Sequence, residues 1–277
     1  MTKQLVCLLL FSLGYSQDRV NIKKLVRSQD LYFFKTAKTP FEGTAFDLSR
    51  VTGKKILEYK IIDGMKNGNY REWYHNGTKK LLSHYKNNIK HGAYTKYYQS
   101  GQKEEKGFWK QGENDGLCTF WYKTGQKKKE GIYKNDKGTG LWTYWYIDGE
   151  KEREGFRHNG SKSGFWIYWY SNGEKKEEGN YFNGEKFGSW TEWAQNTQKL
   201  SKGSFKNDKK DGLWNYWYDN GQKKEEGNFK NDKKEGLWTY WYDNGYKKKE
   251  THYGNDKRAS EKCWDKKGNL SECFSNE

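Results

Sequence analysis

The chain has 277 residues, 32% of them charged and 32% hydrophobic, and a formal net charge of +16. That balance would suit a disordered chain, but 18% of the residues are aromatic, with 14 Trp and 22 Tyr among them, and disordered chains are poor in rings. Thirty-one Gly against one Pro fit many tight turns, so the composition excludes a flexible linker and predicts an ordered, elongated protein with a thin aromatic core.

Residues 1–16 read as a secretory signal peptide. Lys3 supplies a short positive start, Leu5 to Leu13 is apolar apart from Ser12, and Gly14-Tyr15-Ser16 brings small residues before Gln17. The apolar stretch is too short to span a bilayer, and no other segment could. Export to the periplasm, the outer membrane or the medium is the expectation. Residues 17–39 show no repeat.

From Pro40 the chain is periodic. A phrase whose clearest copy runs from Gly140 to Gly149 (GLWTYWYIDG) recurs eight times at a spacing of 24 residues. A fixed period of this size marks an architecture in which each unit leans on its neighbours. Pro40 to Phe46 opens a degenerate first unit. Eight clear units run from Gly68 to about Ala259, and a degenerate cap completes an array spanning residues 40–277.

Each unit reads as a β-hairpin. The first arm, such as Leu141 to Tyr146, is aromatic with Thr, Leu or Ile between the rings, as strands prefer. Asn76-Gly77, Asp148-Gly149 and Asn172-Gly173 predict type I′ turns. The second arm is polar and carries a glycine, as at Gly131 and Gly155, which predicts a bulge or a close backbone approach. The predicted fold is therefore all-β: a single-layer array of consecutive antiparallel β-hairpins.

Side chains alternate across a strand, so the rings sort into columns. One holds Trp73, Tyr97, Trp121, Trp145, Trp169, Trp193, Trp217 and Trp241. It is aromatic in all eight units, which predicts core use, with a binding role as the alternative. The Trp142 column fails at Cys118, and the Tyr146 column fails at Ala194. A basic column follows each turn: Lys79, Lys103, Lys127, Lys151, Lys175, Lys199, Lys223 and Lys247. Either it forms an electrostatic stripe for an anionic polymer or lipid, or each stem packs over a ring with its charge in water.

The repeat resembles the MORN repeat, in the variant form of bacterial YwqK-type antitoxin family proteins. Gly164, Trp166, Trp169, Tyr170, Gly173, Lys175, Glu178, Gly179, Tyr181, Asn183 and Gly184 fit the phrase of that variant. The resemblance implies an open sheet of successive hairpins and a non-enzymatic role in scaffolding, self-association or membrane-lipid contact. It also carries the alternative of an antitoxin-like partner of a toxin.

No catalytic motif interrupts the repetition. The histidines fall at different unit positions, and no cofactor, metal or enzymatic activity is expected. Cys263 and Cys273 lie symmetrically about Gly268, where a hairpin would bring them to disulfide distance in an oxidising compartment. The leading function is a scaffold or protein-interaction module of the envelope, partnered by a protein or by self-association. Carbohydrate, choline or an anionic envelope polymer is the alternative. Nucleic acid is disfavoured, because interleaved Glu would repel phosphate.

Overall fold

The computed structural model describes residues 18–273, and the expected signal peptide of residues 1–16 lies outside them. The chain divides into two compact units, Met1–Gly101 and Gln102–Glu277. Among the described residues there is no α-helix, and one turn of 3-10 helix, Ile22–Lys24, interrupts the strands. The fold is all-β. In the second unit each long strand pairs antiparallel with the next in sequence. Lys127–Lys134 pairs with Lys137–Trp145, that strand with Lys151–His158, and so on to Lys257–Trp264. The expected hairpin array forms.

Two kinds of turn alternate, and their assignment corrects the sequence expectation. At Asp148-Gly149, the Gly149 N–H donates to the Tyr146 carbonyl (3.1 Å) and the Tyr146 N–H to the Glu150 carbonyl (2.8 Å). Gly149 alone has positive φ, +100°. This is a type I turn closed by a glycine bulge, not a type I′ turn. The Asp148 carboxylate accepts from the Glu150 N–H (3.1 Å), which fixes the turn. The type I′ pattern sits in the other loop, where Asn135 (φ 49°) and Asp136 (φ 58°) join Lys134 to Lys137.

These second loops set the register between units. The Asp136 N–H donates to the Asn114 carbonyl (3.0 Å), and its carboxylate accepts the Asn114 N–H (2.8 Å). Asp208, Asp232 and Asp256 bracket Lys186, Lys210 and Lys234 in the same way. Four loops are thus clamped to the preceding unit by an acidic side chain, while Gly160 and Gly184 keep only the backbone bond to Gly138 and Lys162.

The core occupies the face bearing Trp142, not the face bearing Trp145. Trp142, Trp166, Trp190, Trp214 and Trp238 are buried, whereas every member of the Trp145 column is half-buried. The expected core use of the Trp145 column is therefore wrong, because Trp145 follows Tyr144 in the strand and points the other way. Second-arm rings fill the gaps in the true core column. Tyr181 stands edge-on to Trp190 at 5.1 Å, Phe205 to Trp214 at 5.0 Å and Phe229 to Trp238 at 4.9 Å. The second-arm glycine explains how an indole fits flat against the sheet: a Cβ on Gly155 would lie 2.3 Å from Trp166 Cδ2. Gly131, Gly179, Gly203 and Gly227 face their own indoles in the same way.

The first unit begins differently. Arg19–Asn21 pairs in parallel with Gly43–Leu48, and Leu25–Ser28 forms a separate hairpin with Leu31–Phe34. Val20, Leu25, Phe41, Ala45, Tyr59, Ile61 and Tyr70 make its core. The segment without repeat signal is a cap that covers the open edge of the first strand pair.

Candidate functional site

With the rings of the core face accounted for by packing, two features remain for function. One is the outer face; the other is a break in the repetition on the core face.

On the outer face the first-arm residues Leu117, Thr119 and Trp121 alternate with the core residues Cys118 and Phe120. The bulge after the turn skips Lys128, so that Lys127 and Glu130 share this face. Lys127 Nζ lies 2.9 Å from Glu130 and 5.5 Å from the centre of the Trp145 ring. Lys151, Lys175, Lys223 and Lys247 repeat the arrangement with Glu154, Glu178, Glu226 and Glu250. The basic column is thus largely neutralised by its own carboxylates. Lys79, Lys103 and Lys199 have Leu82, Lys106 and Lys202 at the acidic position instead. Burial opposes ionisation of Glu130, but bonds from Lys127 and Thr119 outweigh it and hold the carboxyl below its usual range.

Beside this row runs an exposed apolar one. Phe108, Leu117, Ile132, Leu141, Phe156 and Phe165 are all exposed, Leu117 to 58% and Phe156 to 53%. Leu117 pairs across the ladder with Ile132, and Leu141 with Phe156. Further along, Asn180, Asn228 and His252 face the apolar residues Phe165, Leu213 and Leu237, which dilutes the ridge.

On the core face a second lysine column, not singled out in the sequence, caps the rings: Lys66, Lys162, Lys186, Lys210 and Lys234. Its signal was the same 24-residue spacing. Lys186 Nζ sits 3.9 Å above Trp190 and 2.8 Å from Glu177. Lys234 sits 4.0 Å above Trp238 and 3.4 Å from Glu225.

The order breaks in the middle. Gly138 stands where the lysine belongs, and Arg157 where the second-arm ring belongs. Lys129 and Arg153 stand where Glu177 and Glu225 do. The Arg157 guanidinium lies 5.7 and 5.8 Å from the Trp142 and Trp166 ring centres, bridging them as an aromatic ring does elsewhere. Burial, then Arg153 and Arg157, lowers the Lys162 ammonium to about 8. Burial, then Arg157, also lowers Lys129.

Cys263 and Cys273 form a disulfide with Cα atoms 5.2 Å apart. The terminal hairpin pairs Cys263 with Ser271, so the bridge runs diagonally rather than between directly opposed residues. Cys118, buried in the Trp142 column, is not part of a disulfide. Among the described residues no cluster of three or more His, Cys, Asp or Glu is arranged to hold a metal ion. No helix among them is long and apolar enough to cross a membrane.

No curated protein matches the chain. Crystal structures of TcdB2-TccC3-Cdc42 and TcdB2-TccC3-TEV are similar over 80% and 81% of it, each at 10% identity and a TM-score of 0.19. The chain spans 14% of each of those chains, and its fold rests on its own hairpins. A family profile described as a MORN repeat variant matches residues 66–87, 90–111, 114–135 and 210–231. The matched segments keep the 24-residue register of the intervening units, and these four repeats are of the MORN variant type.

Proposed function

We propose that this protein is a non-enzymatic, exported interaction module that takes a protein partner on its outer face. The exposed apolar ridge from Phe108 to Phe165 carries this reading. Soluble proteins keep contiguous apolar surface for contacts, and this ridge adds nothing to the aromatic ladder behind it. The neutralised lysines beside it supply a polar rim rather than an anion-binding stripe. Export is supported by the apolar segment near residue 10 and by the Cys263–Cys273 disulfide, which persists in oxidising compartments.

A photo-crosslinking residue placed at Leu141 in the expressing cell tests the reading. It is expected to give a discrete protein adduct, and the same residue at Lys224, in a turn-side bulge, is expected to give none. The absence of an adduct at Leu141, Ile132 and Phe156 alike would refute it.

A further inference from the structure

The break on the core face builds a pocket. Lys129, Gly138, Trp142, Tyr144 and Arg157 line a cavity of about 290 Å³. Trp166, Trp190, Trp214 and Trp238 each donate their indole Nε1–H to a backbone carbonyl, those of Phe156, Asn180, Ser204 and Asn228, at 2.9–3.1 Å. Trp142 does not. It is only 2% exposed, and its Nε1 is a buried donor with no acceptor. That nitrogen faces Gly138, lying 3.2 Å from where a Cβ on the glycine would be. A lysine at this position, as in the neighbouring units, would fill the space.

The charges nearest that donor are the two cations Lys129 and Arg157, while Asp136 also lines the cavity. Lys129 Nζ lies 5.7 Å from the Trp142 ring centre, and the Arg157 guanidinium lies at the same distance. Among the described residues no carboxylate lies within ion-pairing distance of Lys129 or Arg157. Arg157 donates Nε–H to the Tyr144 hydroxyl (3.2 Å) and one terminal N–H to the Gly160 carbonyl, which fixes the guanidinium and leaves its other terminal nitrogen for a ligand. Asp136, the acid at the rim, is held by the Asn114 backbone N–H (2.8 Å) and side-chain amide (2.9 Å). Burial, then the neighbouring Arg157, lowers the Lys129 ammonium, and Glu105 offsets only part of that shift.

We propose that this pocket binds a compact oxyanion, phosphate or sulfate, free or as the terminus of a monoester, between Lys129 and Arg157 with Trp142 Nε1–H as a third donor. Two cations and one neutral donor converging on a ring-lined hollow match a tetrahedral anion, and charge-assisted bonds supply the strength. Tyr144 and Tyr133 on the wall leave room for the organic part of a monoester. The pocket lies on the face opposite the apolar ridge and does not depend on the partner proposed there.

Calorimetric titration of the purified protein with inorganic phosphate, sulfate and glucose 6-phosphate is the test, together with the indole N–H resonance of Trp142, assigned from Trp142→Phe. One salt-sensitive site is expected, with the Trp142 resonance moving as it fills. The double variant Gly138→Lys/Arg157→Tyr installs the residues that neighbouring units carry at these positions, so it keeps the fold. It is expected to lose at least about tenfold in affinity, the size of a lost charge-assisted bond. Equal affinity in that variant, or an unmoved Trp142 resonance, would overturn the proposal. So would retention on phosphatidic acid vesicles without any response to the soluble anions, which would assign the charge to a lipid surface instead.

Discussion

The weakest join in the second unit lies where the sixth repeat meets the seventh, and two substitutions should strengthen it. Elsewhere a tyrosine hydroxyl after the first arm donates to a carbonyl one repeat on: Tyr146 to Trp169 (2.8 Å), Tyr170 to Trp193 (2.9 Å) and Tyr218 to Trp241 (2.8 Å). Ala194 occupies that place in the sixth repeat and leaves the Trp217 carbonyl without the bond. Thr197 takes the bulge position of the turn at φ 69°, where the other clear units have glycine. The turn still closes, with the Thr197 N–H 3.0 Å from the Ala194 carbonyl, so a β-branched residue is held in a left-handed conformation rather than the turn opening. Ala194→Tyr should add about 1 kcal/mol for the hydrogen bond and about 1–1.5 kcal/mol for a half-buried ring. Thr197→Gly relieves about 1 kcal/mol of backbone strain, of which roughly 0.5–1 kcal/mol is offset by the freedom of glycine in the unfolded chain. The double variant should therefore stabilise the join by about 2 kcal/mol, a roughly thirtyfold drop in its opening constant. Hydrogen exchange reads this directly in residues 189–205. Amides there that are already as protected as those of the fifth and seventh repeats, or that do not slow in the double variant, would refute the reasoning.

Three further outcomes follow from the packing and the charges. Gly155→Ala forces a Cβ to 2.3 Å from an indole that is pinned by its bond to the Phe156 carbonyl; it should cost about 3 kcal/mol or more in urea unfolding, and a neutral result would remove the ring-over-glycine account. Thr251 shows the converse within the same chain, since it faces Glu261 rather than an indole and carries a side chain at the equivalent position. Lys162 is lowered from 10.5 to about 8, chiefly by burial. Its cost to the native state is full below pH 8 and is relieved as the pH rises toward 10.5, where the unfolded chain binds the extra proton. Stability should accordingly climb between about pH 8 and 9.5, and Lys162→Met should flatten that climb; an unchanged slope in the variant would contradict the assignment. Reducing Cys263–Cys273 should speed exchange in Lys257–Trp264 while leaving residues 127–241 unaffected, and uniform destabilisation would show that the cap is coupled to the whole array.

The hairpin array was legible because the 24-residue period holds in every clear unit and the turn glycine in all of them but the sixth. Which face forms the core was not. Ring content is nearly the same in the Trp142 and Trp145 columns, so periodicity alone could not choose between them. The deciding residue is the second-arm glycine, whose missing Cβ admits an indole on one face only. The turn types were exchanged for a related reason. Asn-Gly is the usual type I′ signal, but Asn135-Asp136 takes that geometry because its carboxylate also clamps the preceding loop, an interaction 22 residues away that no local rule contains. The oxyanion pocket is half-visible in the sequence: Arg157 stands where Tyr133 and Tyr181 place a ring, but Gly138 gives a signal only against the lysine column that the structure brings out. The cap before Pro40 gave no repeat signal, since its short strands lack the 24-residue phrase and one of them, Arg19–Asn21, pairs in parallel.

The central claim is that the aromatic ladder serves stability and the outer ridge serves contact. Leu141→Asp combined with Phe156→Asp tests it most directly, with partner capture measured alongside the urea midpoint. Both residues are exposed, so the midpoint should move by less than about 0.5 kcal/mol while capture of the partner crosslinked at Leu141 is lost. Capture that persists with the fold intact would contradict the account.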